Sequence, residues 1–314
     1  MPANEGVVPP AGALLCSATV KPPPFRYVAP RSLEEALTVL AEHADDAKVL
    51  AGGQSMVPLL SLRLASPSVL VDLSHVGGLD GIEADDDTVT IGAMVRQRAA
   101  ERSDVVQDRV PLLSAALPYI GHPAIRNRGT VGGSIAHADP SAEIPTVALA
   151  LDAEVVATSA AAGERRIPAA DLFEGFLTTS LREDEVLTAV RMPVTAPGTG
   201  VAFEEVARRH GDFALVGTAA VVRLADGKVA EARLAVMGVG GTPVRAHAAE
   251  AALMGASPGD EAFGAAAESA ADGLDPASDL HGSAAYRTHL AKVVVRRALA
   301  RAAAGAAAST NGGS

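Results

Sequence analysis

Leu33, Ala36, Leu37, Leu40 and Ala41 recur at helical spacing, which predicts a helix with one apolar face after Ser32. Ser32 stands where an N-cap belongs, and Glu35 three residues on completes a capping box. The rhythm then shortens. Lys48-Val49-Leu50-Ala51 is an apolar run of strand length, and Val69-Leu70-Val71-Asp72-Leu73 is another. Between them Met56 to Leu64 carries the pattern of a short helix, with Pro58 tolerated in its first turn. A strand, turn, helix and strand in that order predict a parallel, right-handed unit.

Further along, Gly81 to Gly92 alternates as a hairpin around an acidic turn at Asp85–Asp87. Val110 to Leu117 reads as a helix with Pro111 near its start, and Tyr119 to Arg128 as a loop. Ser141 to Leu149 reads as a helix despite Pro145, followed by a strand at Glu154–Thr158. Strand-and-loop segments continue through Arg166-Ile167-Pro168 and Val186 to Val190. Periodicity stops at Thr195-Ala196-Pro197-Gly198-Thr199-Gly200, a cluster of turn formers that makes the best domain boundary. Beyond it lie three strand candidates, Val201–Arg209, Ala214–Leu224 and Val229–Val239, the last two joined by the hairpin turn Ala225-Asp226-Gly227-Lys228. The remainder is alanine-rich and helical. It ends in Ala284 to Ala303, where Tyr286, Leu290, Val293, Val294 and Leu299 form a stripe. The expected division is therefore a flexible extension at 1–20, a first domain at 21–196 with lobes at about 21–75 and 76–196, a C-terminal domain at 197–304, and a frayed tail at 305–314.

Composition narrows the function classes. With 314 residues, 48% of them hydrophobic, the chain can bury a sizeable core. A net charge of −11 argues against a nucleic-acid or anionic-membrane surface, although Arg126/Arg128 and Arg208/Arg209 form local basic clusters. Cys16 is the single cysteine, so neither an internal disulfide nor a thiolate-held iron–sulfur cluster or zinc site is available. No apolar run approaches the ~20 residues of a membrane span, and Ala13–Leu15 lacks the basic flank of a signal peptide. A cytoplasmic location is the default expectation.

The candidate chemistry lies in two glycine turns, Ala51-Gly52-Gly53-Gln54-Ser55 and Thr130-Val131-Gly132-Gly133-Ser134. Each puts a Gly-Gly pair beside small hydroxyl residues, after an apolar segment and before helix signals. Glycine pairs can expose successive backbone amides that converge on an anion without any lysine. Two such nests suit the two charges of a pyrophosphate, and the expected ligand is FAD. Neither turn fits the Rossmann fingerprint or the NTPase phosphate loop. Neither contains Cys or His, so a non-covalent flavin is expected. Tight packing of strands on helices is the better explanation of a lone Gly-Gly, and it is the recurrence of the pair that points to a ligand.

Lys21-Pro22-Pro23-Pro24-Phe25, the two glycine turns, Ile125-Arg126-Asn127-Arg128-Gly129, His137-Ala138-Asp139-Pro140 and Arg208-Arg209-His210-Gly211-Asp212-Phe213-Ala214 together resemble the FAD-binding medium subunit of molybdenum hydroxylases, of the carbon monoxide and xanthine dehydrogenase type. The resemblance covers about residues 21–303. It implies an α+β fold: a two-lobed FAD domain of the vanillyl-alcohol-oxidase type, then a C-terminal three-stranded sheet with helices. It implies partners, a large molybdopterin subunit and a small [2Fe–2S] subunit, in a dimer of heterotrimers. The clusters would pass electrons through FAD to NAD, a quinone or another acceptor. The cofactor contacts it implies are Ala51, Gly52, Gly53, Gln54 and Ser55, and Thr130, Val131, Gly132, Gly133 and Ser134, for the pyrophosphate and ribityl chain. Ile120 would pack beside the isoalloxazine, Leu187 would be an apolar contact from the strand before the boundary, Glu143 would hydrogen-bond the cofactor's polar portion, and Phe213 would cover the flavin ring. Relatives can carry a lysine after the aromatic of the Phe203 strand, where this chain has Glu204. No nucleophile or acid–base pair stands out. Two other readings stay open at this level: a self-contained FAD oxidase, and a scaffold subunit without flavin.

Overall fold

The computed structural model describes residues 21–311, so the expected N-terminal extension lies outside the described residues. Val69–Asp72 is flanked by Arg26–Val28 and Ala47–Leu50 in a three-stranded parallel sheet, as the strand–turn–helix–strand order requires. Helix Leu33–His43 covers it. The Ser32 hydroxyl accepts from the Glu35 amide, and Ala36, Leu37 and Leu40 are buried with Val69, Val71 and Leu73. Helix Met56–Ser61 stops short of its apolar pattern. Arg63 turns left-handed at φ 57°, the Arg63 amide bonds the Leu60 carbonyl and the Leu64 amide bonds that of Leu59. That closing motif seals the last carbonyls and leaves Leu62 and Leu64 exposed.

A second, antiparallel sheet has five strands in the order Ile82–Ala84, Thr88–Gly92, Glu185–Pro193, Glu154–Ser159, Gly163–Pro168. The Asp85 carboxylate builds the hairpin turn by accepting from the Asp87 and Thr88 amides. Helices Pro111–Ala116, Val131–His137 and Glu143–Ala150 close the core, in which Leu112, Leu113, Ile135, Ile144 and Val190 are fully buried. Pro145 is third in its helix, where the missing N–H would have had no intrahelical acceptor. The stretch expected as a loop before the second glycine turn contains helix Pro123–Arg126, too short to show a period in the sequence.

Glu185 begins the central strand and ties it to its neighbours. Its side chain is buried and accepts from Arg165 Nε at 2.6 Å and Nη2 at 2.8 Å, and from the Arg182 amide at 2.7 Å. Burial disfavours the ionised carboxyl, but the bonds from Arg165 and Arg182 outweigh it and bring the group down to about 2. A depressed carboxyl stabilises the fold above its ordinary value of 4.5 and loses that contribution as pH falls towards about 2. Glu185→Gln is therefore expected to cost roughly 2 kcal/mol near neutrality. The gap to the wild type should close as thermal unfolding is followed down through that acid window, and a gap independent of pH would refute the assignment.

The C-terminal part is a sheet of Thr199–Ala207, Ala214–Ala225, Lys228–Met237 and Val244–Arg245, all antiparallel. It has four strands where three were expected. The fourth has only two residues, below the length at which alternation can show. Both faces are covered. Ala202, Ala220, Val222, Leu234 and Val236 share a core with Val294, Val295 and Leu299 of helix Ala284–Asn311. Phe203, Ala219, Val221, Ala235 and Met237 join the core of the first part, beside Ile144 and Leu113. Double coverage explains the nearly unbroken apolar run of the second strand. The expected frayed tail is corrected: the last helix continues to Asn311 and Ala306 is fully buried. Among the described residues no helix is long and apolar enough to cross a membrane.

Candidate functional site

The two glycine turns, distant in sequence, are packed on each other. Gly52 is buried, and a Cβ there would stand 2.3 Å from the Arg128 carbonyl oxygen and 2.8 Å from Gly129 Cα. Gly53 takes φ 72°, a conformation that side chains disfavour, and sends the chain into helix Met56–Ser61. From the other side, a Cβ on Gly133 would lie 3.2 Å from that of Ala51.

Their amides are used differently. Among the described residues the N–H groups of Gly52, Gly53, Gln54 and Ser55 meet no protein acceptor, and Ser55 makes no side-chain cap. The Gln54 side chain folds back on the Gly52 carbonyl at 3.1 Å. In the second turn all four amides are engaged. Val131 bonds the Val95 carbonyl at 3.0 Å, Gly132 that of Ala93 at 3.0 Å, Gly133 the Thr130 hydroxyl at 3.0 Å, and Ser134 the Thr130 carbonyl at 3.2 Å. The expectation of two equivalent nests is corrected accordingly. The segment Ala93–Gln97 runs beside Gly129–Gly132 and takes the Val131 and Gly132 donors, while Thr130 takes those of Gly133 and Ser134. The second turn buttresses the first and presents the partly exposed Ser134.

Ile120 is buried, and its carbonyl accepts from Arg126 Nη1 at 2.9 Å. Arg126, read in the sequence as part of a local basic cluster and of the family motif, is 5% exposed and paired with Glu101 at 2.9 Å. It pins the chain between Ile120 and the second turn. Leu187 is buried in the same core, where a bulge separates it from Ala189. Phe213 is 74% exposed on the turn between the first two C-terminal strands. That turn touches the first part at Gly211, where a Cβ would meet His122 Cε1 at 2.6 Å, and the His122 and His210 rings lie 6.1 Å apart. The structure thus brings the Phe213 turn to the Ile120–His122 segment.

Glu143 stands in the first turn of helix Glu143–Ala150. Withdrawal from water pushes its carboxyl up to about 7, against a bond from its own amide; the nearby Asp139 carboxyl adds to the rise and Arg126 opposes it. Glu205 is raised to about 8 by burial and, to a lesser degree, by the charge of Glu143. Glu205 went unnoticed in the sequence. Strand alternation could have found it, since Phe203 and Glu205 share the face turned to the first part. Glu204 is ion-paired with Arg301 of the last helix, and both bear on the Tyr119 hydroxyl.

These features can be set beside known proteins. Residues 23–195 match the family described as "FAD binding domain in molybdopterin dehydrogenase", and residues 201–302 the "CO dehydrogenase flavoprotein C-terminal domain". The alpha subunit of the 6-hydroxypseudooxynicotine dehydrogenase complex of Paenarthrobacter nicotinovorans is 46% identical over 284 residues, covering 90% of this chain and 96% of that protein. The carbon monoxide dehydrogenase medium chain of Hydrogenophaga pseudoflava is 41% identical, covering 88% of this chain and 96% of that one. A solved structure of that carbon monoxide dehydrogenase superposes with a TM-score of 0.88 at 43% identity, covering 90% and 98% of the two chains. Quinoline 2-oxidoreductase from Pseudomonas putida 86 superposes with a TM-score of 0.87 at 41% identity, covering 91% and 99%. A glycine turn with open amides, braced by a second, thus sits in a chain that matches this family over residues 23–195 and 201–302. The chain belongs to the FAD-binding medium subunits of the molybdenum hydroxylases, and is an oxidoreductase component with an FAD-binding domain.

Proposed function

We propose that the chain holds FAD without a covalent bond, as the medium subunit of a molybdenum hydroxylase complex in the cytoplasm. The observation that carries this reading is the set of four open amides at Gly52–Ser55, ahead of a helix and sealed from behind by the second turn. They fit a pyrophosphate, whose charge needs donors that no lysine supplies here. Ala51 packs the turn against Gly133, while Thr130, Val131 and Gly132 fix its support and Ser134 offers a hydroxyl. Ile120 and Leu187 give the isoalloxazine an apolar wall, Glu143 a polar contact, and Phe213 an exposed aromatic cover. The cofactor domain would be residues 21–196, two lobes of the vanillyl-alcohol-oxidase type, and 197–304 the C-terminal domain.

When bound, FAD supplies two-electron carriage between the iron–sulfur clusters of a small partner subunit and an acceptor such as NAD or a quinone. The residues of this chain bind it, orient it and exclude water. A large partner subunit would carry molybdopterin and hydroxylate the substrate, in a dimer of heterotrimers. The lone Cys16 agrees with clusters held on another chain.

The test is purification of the tagged chain from its own cells. The expected result is an oxidised-flavin spectrum, about one FAD per chain, and two copurifying partners, one with molybdopterin and one with iron and sulfide. A colourless chain that takes up no added FAD would overturn the reading in favour of a scaffold. Turnover of an organic substrate by the isolated flavin-loaded chain would favour a self-contained oxidase.

A further inference from the structure

The turn that carries Phe213 enters strand Ala214–Ala225 where that strand breaks its ladder. Val206 faces Val216 and Ala207 faces Ala214, so Leu215 has no opposite residue in strand Thr199–Ala207. Pairing with Lys228–Met237 begins only at Gly217, so Leu215 has none on the other side either. The side chains record the extra residue. Leu215 and Val216 are consecutive yet share the core under the last helix, while Ala214 belongs to the core of the first part. A bulge of this kind re-aims the chain beyond it, and here that chain is the turn at 208–213.

Arg287, in the first turn of helix Ala284–Asn311, holds the bulge. It is 7% exposed. Its Nη1 donates to the Leu215 carbonyl at 2.6 Å and its Nη2 to Asp279 Oδ2 at 2.8 Å. Asp279 is itself fixed, because its Oδ1 accepts from the His281 and Gly282 amides at 2.8 and 3.0 Å. A Cβ at Gly238 would stand 2.3 Å from the Leu215 carbonyl oxygen, so no side chain can enter there. Arg287 Nε is sealed from water and has no hydrogen-bond partner among the described residues. Stability alone does not favour such a group, since an apolar side chain of similar volume is often at least as stable in place of a buried ion pair. The two strong bonds of Arg287 therefore point to geometry. At its far end the turn they aim meets the first part, with Gly211 against the His122 ring, two residues after Ile120.

We propose that Arg287 is a positioning residue for access to the cofactor: by clamping the Leu215 bulge to Asp279, it fixes the direction in which the Phe213 turn leaves the C-terminal sheet, and so how closely that turn covers bound FAD. The proposal rests on the FAD reading above and deepens it. Arg287 acts through the turn.

The experiment uses the full chain, both loaded with FAD and stripped of it. Hydrogen exchange read by mass spectrometry follows the opening of residues 208–216, with helix Leu33–His43 as internal reference. Iodide quenching of flavin fluorescence follows the exposure of the bound cofactor. In Arg287→Met, protection of 208–216 should fall by about 10-fold, the equilibrium equivalent of one hydrogen bond from a charged group, while the reference stays level. Surface turns open with little free energy, so a shift of that size makes the open form a major one, and flavin quenching should rise with it. Arg287→Lys keeps the charge and reaches one of the two acceptors, so it should recover part of both readouts. Asp279→Asn changes a half-exposed side chain and should loosen the turn in the same direction by a smaller factor. Unchanged exchange at 208–216 in Arg287→Met, or in Asp279→Asn if Arg287→Met does not fold, would overturn the clamp, as would equal loosening of the reference helix. A looser turn with unchanged flavin quenching would overturn the role in covering the cofactor. If the wild type binds no FAD, the functional reading fails, and exchange in the stripped chain decides the clamp by itself.

Discussion

Gly52→Val is expected to leave the purified subunit almost without FAD, with a dissociation constant raised by about 1,000-fold, some 4 kcal/mol. The new Cβ would stand 2.3 Å from the Arg128 carbonyl oxygen, so one backbone must move away from another. Arg128 cannot retreat cheaply. Its carbonyl accepts from Arg96 Nη1, the Gly129 amide bonds the Ile125 carbonyl at 2.7 Å, and the Gly129 carbonyl accepts from the Gln97 amide at 2.9 Å. The first turn must therefore give way, and its open amides lose their common aim. The measurements are FAD stoichiometry by absorbance and affinity by titration, with far-ultraviolet circular dichroism to show that the rest is folded. Wild-type stoichiometry in Gly52→Val would remove this turn from the site. The second turn has a matching test. A Cβ on Gly132 would stand 2.5 Å from that of Ala93, so a bulky residue there should displace the buttress and weaken FAD retention.

Gly200→Val should have the largest effect on the fold itself. Strand Thr199–Ala207 passes directly under helix Ala284–Asn311. A Cβ at Gly200 would lie 1.9 Å from the Ala302 carbonyl oxygen and 2.4 Å from the Ala306 amide nitrogen. Ala302 and Ala306 are fully buried, so the helix has no neighbouring space to enter. Overpacking against backbone on both sides should cost ~3 kcal/mol or more. The melting temperature should fall by several degrees, as seen by calorimetry, together with the Arg301–Glu204 pairing that the same helix carries. A melting temperature equal to the wild type would show that the last turns of the helix detach readily, as a frayed tail would.

Glycine distribution illustrates what could be read beforehand. Gly52, Gly53, Gly132 and Gly133 stand out because the pairs sit between apolar segments and helix signals, and local spacing carries that information. The Leu33–His43 helix and its Ser32 cap, the parallel strand pair around Met56–Ser61 and the hairpin at 82–92 were legible for the same reason. Each announces itself by a local pattern of apolar, capping or turn residues, whatever it later packs against. Gly200 was legible only as part of a boundary. Its role depends on a helix that begins more than eighty residues later in the chain.

The site divides along the same line. The residue types, their order along the chain and the absence of cluster-binding cysteines were determined by the sequence alone, and they sufficed to indicate an FAD subunit. Thr130 closes the Gly133 and Ser134 amides locally, but the fate of the Val131 and Gly132 amides was decided only in three dimensions, because the Ala93–Gln97 segment lies alongside that turn. The burial of Glu205 arose in the same way, when the Phe203 face of the C-terminal sheet closed on the first part. Periodicity records which side of an element is buried. It carries no record of the partner against which that side is buried, and it is the partner that leaves a donor open or seals a carboxyl from water.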